Sequence, residues 1–199
     1  MVDNWKIMCY NMSKGDVKMT KIKTQNLVLC SLFSAIIAIC SWLTIPAAVP
    51  FTLQTFAIFA ALLVLGGKWG TASICVYILL GAVGLPVFSG FKGGIGVLIG
   101  VTGGYILGFI LSGLVFWIME HFLGNSLLTK ISAMILGLII CYAAGTAWFV
   151  ITYTKNISVF GALKSCVIPF IIPDLLKMSF AVLVSERLKK SIKNKTVQI

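Results

Sequence analysis

Negative charge and histidine are nearly missing from this chain of 199 residues, which has five acidic side chains and one imidazole. Those shortages exclude whole classes of function. His121 adjoins Glu120 with no cysteine or acidic cluster beside it, so the several ligands of a zinc site cannot be assembled and no metal is expected. The sequence has no G-x-x-x-x-G-K-[ST]: GGKW at 66–69 lacks both the upstream glycine and the hydroxyl residue, so no ATP hydrolysis through a P-loop is expected. H-E-x-x-H and G-x-S-x-G are also absent. No cofactor is expected, and an enzyme is not the favoured reading. The six cysteines (Cys9, Cys30, Cys40, Cys75, Cys141 and Cys166) show no C-x-x-C spacing and mostly sit inside apolar runs. They read as small buried hydrophobes without disulfides.

Apolar residues fill the space that charge leaves. Hydrophobic side chains make up 59% of the chain and charged ones 11%, where soluble domains carry about 25% charged residues. Mean hydropathy is +1.05. A span takes roughly 20 residues, so the chain has room for about six and little else. The expected fold is an all-α integral membrane protein in the lipid bilayer. Its six transmembrane helices lie near 27–45, 53–66, 70–85, 96–119, 131–152 and up to Glu186. A polar, unstructured extension over 1–20, with Met19 as an alternative start, precedes a membrane domain over 21–190, and a basic cytoplasmic tail covers 191–199.

A net charge of +11 suggests nucleic acid until the charges are located. Lys6, Lys14, Lys18, Lys21 and Lys23 precede the first apolar run, and Arg187, Lys189, Lys190, Lys193 and Lys195 follow the last. With both termini cytoplasmic, these ten join Lys68 and Lys130 inside, against Lys92, Lys155 and Lys164 outside. That bias obeys the positive-inside rule and leaves nucleic acid without a case. In this topology all five prolines fall at outer helix ends, and 11 of 19 glycines lie within 81–113. Irregular backbone in lipid is tolerated only where protein or a water-filled cavity satisfies it. The glycine- and proline-rich loops on the outer face therefore point to an outward-opening pocket.

The segment PFIIPDLLK at 169–177 carries the clearest chemistry. Asp174 and Lys177 are ionisable groups inside an apolar helix, where each costs roughly 2.5–3.5 kcal/mol on insertion scales. A simple intrahelical ion pair, or a lysine reaching for the interface, is the bland alternative to a ligand-facing pair. In the same outer layer Thr52, Gln54, Phe88, Ser89, Phe91, Thr102, Tyr105, Thr146 and Trp148 supply hydrogen-bonding groups and aromatic walls, each also readable as a belt or packing residue. The stripe Gly96, Gly100, Gly104, Gly108 and Ser112 offers a helix face for close packing, with Gly103 and Gly104 the glycines whose backbone is best placed to meet a ligand.

PFTLQ at 50–54, GLPVFSGFKGG at 84–94, GVTGGYILGF at 100–109, GTAW at 145–148 and PFIIPDLLK, in that order, resemble the biotin transporter BioY family over residues 20–190. Members are the substrate-binding S components of energy-coupling-factor transporters. Val101 departs from the proline usual in the family's G-P-T-G-G-Y block. The resemblance implies biotin uptake at a bacterial cell membrane, together with a membrane coupling protein and two cytoplasmic ATPases. It also implies Asp174 as the acceptor for the ureido group of biotin, and Lys177 as partner to Asp174 or to the ligand carboxylate. Docking of the coupling protein would use small residues of the first helix, Ser31 with Ala35 and Ser34 with Ala38, which internal packing would equally explain. The alternatives are an S component for another small vitamin, or a membrane-embedded enzyme using Asp174 as acid or base.

Overall fold

A computed structural model describes residues 24–46, 49–152 and 159–196. The expected extension over 1–20 and the end of the tail, 197–199, lie outside these, as do 153–158 of the loop expected after the fifth span. In chain order the elements are α1 (Thr24–Trp42), the strands β1 (Thr44–Ile45) and β2 (Phe51–Thr52), α2 (Gln54–Ala82), α3 (Ile95–Ile99), α4 (Gly103–Leu123), α5 (Leu127–Thr152), α6 (Val159–Cys166) and α7 (Ile168–Thr196). Among the described residues five helices, α1, α2, α4, α5 and the Ile168–Leu188 part of α7, are long and apolar enough to cross a membrane.

The 29-residue α2 contains the two helices expected at 53–66 and 70–85, folded back on each other. Gly66 sits at φ 79°, ψ 170°, a backbone region that only glycine adopts without strain. The Gln54 side chain donates to Tyr77 Oη at 3.1 Å. An unbroken helix would hold those residues about 34 Å apart at 1.5 Å per residue. Hence the arms before and after Gly66 run antiparallel, and they close tightly: a Cβ on Gly70 would lie 2.8 Å from Leu62 Cα. Reversal needs one residue, and the remainder of GGKWG already belongs to the second arm. Glu120, near the end of α4, accepts the Gly67 N–H at 2.5 Å and so satisfies one of the donors exposed by the break.

The helix expected over 96–119 is two helices. Gly100 is extended (φ −69°, ψ −179°), which ends α3, and α4 begins at Gly103. The glycine stripe is therefore cut, and Gly96 and Gly100 leave the face shared by its other members. The remaining part packs on α5: a Cβ on Gly104 would strike Trp148, one on Gly108 would press on Cys141, and Gly137 of α5 leaves no room for one against Ser112. Small residues let two backbones approach where no hydrophobic drive exists between helices in lipid. The PAAVP break is bridged by an antiparallel pairing of β1 and β2, with Thr44 opposite Thr52, a small strand element in a fold expected to be wholly helical. After the fifth expected span, Val159–Cys166 form the separate helix α6, and α7 runs ten residues past Glu186 to Thr196.

Helix α7 is amphipathic in the reverse sense to a soluble helix. Ile172, Leu176, Phe180 and Leu183 are exposed, while Asp174, Lys177, Met178, Ala181 and Ser185 are buried. Spacings of three and four place the buried set on one face. Lipid supplies the apolar surroundings outside, so the polar groups turn to the interior.

Candidate functional site

The buried face of α7 borders a cavity of about 460 Å³ under the β hairpin, the 84–94 loop and α3. Its floor is a hydrogen-bonded cluster around Asp174, which is 2% exposed, and Lys177, 8% exposed. Lys177 Nζ lies 2.9 Å from Asp174 Oδ1. The same ammonium donates to the Thr52 carbonyl at 2.6 Å and to Thr55 Oγ1 at 3.3 Å, and stands 3.9 Å from the Phe51 ring centroid. Its three N–H bonds thus have three acceptors within the protein. Asp174 Oδ1 also accepts from Thr55 Oγ1 at 2.9 Å, and Oδ2 accepts from Tyr142 Oη at 2.6 Å. Ion pairs survive burial when the remaining hydrogen-bonding capacity is met, and here it nearly is. A carboxylate has about four lone-pair sites. Among the described residues three are filled, and the open one is on Oδ2.

Other expected site residues divide between wall and scaffold. Thr52, Gln54, Phe88, Ser89, Thr102 and Tyr105 line the cavity with Asp174 and Lys177. Phe88 meets Tyr77 edge to face at 5.6 Å. Ser89 donates to Thr44 Oγ1 at 2.9 Å, tying the 84–94 loop to the hairpin. Tyr105 shares a hydrogen bond of 3.2 Å with Thr146, which sits behind the wall. Trp148 also stands outside the lining; its indole donates to the Gly100 carbonyl at 3.0 Å and holds the α3–α4 break. Gly103 and Gly104 are buried by packing, since a Cβ on Gly103 would strike the Leu98 carbonyl. Phe91 is 65% exposed, stacked on Trp42 at 5.1 Å, and sits at φ 57°, a left-handed conformation unusual for a non-glycine residue.

The sequence reading passed over Thr55, Tyr77, Tyr142 and Lys92, all of which line the cavity. Tyr142 carried a usable signal, because it lies one helical turn before Thr146 and on the same face. Thr55 is one turn beyond Thr52 only because β2 hands directly over to α2. Of the small residues on α1, Ser34 is buried, donating to the Ser73 carbonyl at 2.8 Å, and Ala38 is buried too. Ser31 and Ala35 face outward.

A helical membrane protein that encloses a polar cluster in a cavity sized for one small molecule is the class these features define. The sequence profile of the BioY family matches residues 13–194. The chain belongs to that family. It is 41% identical over 167 residues to the biotin transporter BioY of Thermotoga maritima, covering 83% of this chain and 96% of that one. It is 36% identical over 169 residues to a probable biotin transporter BioY of Pyrococcus horikoshii, covering 84% and 98%. Among solved structures, the S-component for biotin from an ECF-type ABC transporter superposes with a TM-score of 0.77 at 28% identity, over 85% of this chain and 93% of that chain. The S component of a bacterial ECF transporter, at 18% identity and a TM-score of 0.53, shares the fold alone.

Proposed function

We propose that the chain captures biotin from outside the cell and delivers it across the membrane as the S component of an ATP-driven vitamin importer. The observation that carries this reading is the Asp174 carboxylate, held by three donors with one lone pair open beside the cavity. Biotin offers a ureido N–H to such an acceptor, an apolar bicyclic body to Phe88 and Tyr105, and a carboxylate. Since Lys177 is committed to protein acceptors, the ligand carboxylate goes to Lys92, an exposed amine on the 84–94 loop that borders the cavity.

Counting the two arms of α2 as separate crossings makes six, with both termini cytoplasmic and the cavity opening outward in a bacterial cell membrane. ATP hydrolysis belongs to partner subunits, a membrane coupling protein and two cytoplasmic ATPases. Of the docking residues considered on α1, Ser31 and Ala35 are the ones a partner helix can reach.

Equilibrium titration of purified protein with labelled biotin, in the absence of ATP, tests the central claim. Tight, saturable binding without turnover is expected; no binding of biotin alongside tight binding of another vitamin would replace the substrate. Replacing Ala35 with Trp should lower co-purification of the coupling protein while biotin affinity stays within threefold, because a bulky residue keeps helices apart. Wild-type co-purification would remove this face of α1 from the interface.

A further inference from the structure

Two lysines are buried among the described residues. Lys177 has three acceptors within the protein, whereas Lys130, 8% exposed, has no hydrogen bond from its ammonium and no ion pair there. None of the described carboxylates serves it: Glu120 turns to the Gly67 N–H, Asp174 belongs to the cavity cluster, and Glu186 is exposed on α7. No shielded side-chain nitrogen among the described residues lacks a hydrogen bond. The stem of Lys130 is therefore covered while its ammonium reaches the surface, where its three N–H bonds need acceptors from outside the protein.

Lys130 is the fourth residue of α5, and helical side chains lean back over the turn before their own Cα. That turn holds further donors. Ser126 caps it, accepting the Thr129 N–H at 3.1 Å and sharing a 2.8 Å bond with the Thr129 hydroxyl, while the Leu127 and Leu128 N–H groups have no partner among the described residues. The positive end of the helix dipole falls at the same place. At 26 residues α5 is about 39 Å long against a hydrocarbon core of about 30 Å, so its first turn stands among lipid headgroups. Leu127 and Leu128 are exposed, as are Phe122 and Leu123 at the end of α4. A soluble anion gains nothing from this apolar rim; a phospholipid satisfies the donors with its phosphate and covers the rim with its chains.

We propose that Lys130 and the first turn of α5 form a site for an anionic phospholipid: the ammonium and the Leu127 and Leu128 N–H groups donate to phosphate oxygens, and the exposed leucines and Phe122 meet the acyl chains. With both termini cytoplasmic, as proposed above, this is the inner leaflet, whose surface is negative. Lys130 lies about 12 Å along α5 from Leu138, the cavity-lining residue of that helix nearest to it. Biotin binding and lipid binding are thus separate measurements.

Native mass spectrometry of the full chain, released from detergent micelles holding phosphatidylglycerol or phosphatidylcholine of matched chain length, tests the site. Phosphatidylcholine carries its own cation, which competes for the phosphate. Wild-type protein should retain one phosphatidylglycerol with about tenfold higher affinity than phosphatidylcholine, the worth of one charge-assisted hydrogen bond. Lys130→Gln should bring that ratio to within threefold of unity, and Lys130→Arg should keep it within threefold of wild type. Lys68→Gln is the control, an exposed lysine at the same end of the bundle that shares a small cavity with Glu120 and Asn125; its ratio should stay within threefold of wild type. Biotin affinity should stay within threefold in all three variants. A wild-type ratio near unity overturns the proposal, as does a Lys130→Gln ratio equal to that of wild type. An equal loss in Lys68→Gln overturns it as well, since it would show attraction to basic surface in general. Displacement of the lipid by millimolar inorganic phosphate would assign the donors to a soluble anion and overturn the lipid. If Lys130→Gln does not fold, the wild-type ratio and the Lys68→Gln control decide.

Discussion

Two carboxylates in this molecule meet opposite fates. Glu120, at the end of α4, spends Oε2 on the Gly67 N–H, at the point where α2 reverses. Its partner is backbone, and the bond completes a helix terminus. Asp174 lies in the middle of apolar sequence, is held by three side-chain donors, and lines a cavity with one lone-pair site unfilled among the described residues. Glu120 makes one hydrogen bond among the described residues and is half-buried, so water can serve its other lone pairs. Asp174 is oriented and nearly saturated by protein, and on the function proposed above its remaining site is what it offers a ligand. The difference lies in burial and partners: Glu120 is half-buried with one backbone donor, and Asp174 is 2% exposed with three side-chain donors.

The same acid-to-amide change at each position sharpens that contrast. Asp174→Asn should have the largest effect. The charge-assisted bond to the ligand is lost, and half of the side chain becomes a donor facing an N–H. Those terms lower biotin affinity by roughly two decades or more. A biotin titration beside ligand-free thermal unfolding checks it: affinity within threefold in a folded protein would make Asp174 a structural ion-pair residue, no different in kind from Glu120.

Gly66→Ala comes next and acts on stability. A side chain at φ 79°, ψ 170° costs about 1–3 kcal/mol, and the new Cβ would also lie 3.3 Å from a Glu120 oxygen. Unfolding temperature and yield should fall, with biotin affinity of the folded fraction kept within threefold. A large loss of affinity at unchanged stability would show that the two ends of the molecule are coupled.

Glu120→Gln is the smallest. The amide oxygen still accepts the Gly67 N–H, so only the charge at a helix N-terminus is lost, worth about 0.3–1 kcal/mol. Unchanged biotin affinity and a slight drop in unfolding temperature are expected. A tenfold loss of affinity here would break the comparison.

Much of the fold was legible because lipid imposes simple rules. Runs without charge, broken at PAAVP, GGKWG and the 84–94 glycines, mark helices and their ends in one dimension. An acid and an amine three residues apart inside such a run mark a buried polar face. Thr55 and Tyr142 were missed because their role depends on where a third element, α7, places Asp174. Tyr142 lies 32 residues from Asp174 and Thr55 lies 119, and no local pattern reports a contact at that range. Trp148 and Gly104 were read as possible ligand contacts from their depth in the membrane. Depth is set by residue count, but the direction a side chain faces is set by the neighbour it packs on, and these two pack on each other.

The sequence by itself thus determined that this is a membrane protein, roughly where its helices begin and end, and that Asp174 and Lys177 need a reason to be buried. Those conclusions follow from transfer energies that each residue carries alone. Only the tertiary structure decided that Gly66 by itself turns α2 back, that the 96–119 helix breaks at Gly100, and which hydrogen bonds of Asp174, Lys177 and Gln54 are already taken. A hydrogen bond has two partners and a direction, and in this fold the second partner comes from a distant part of the chain.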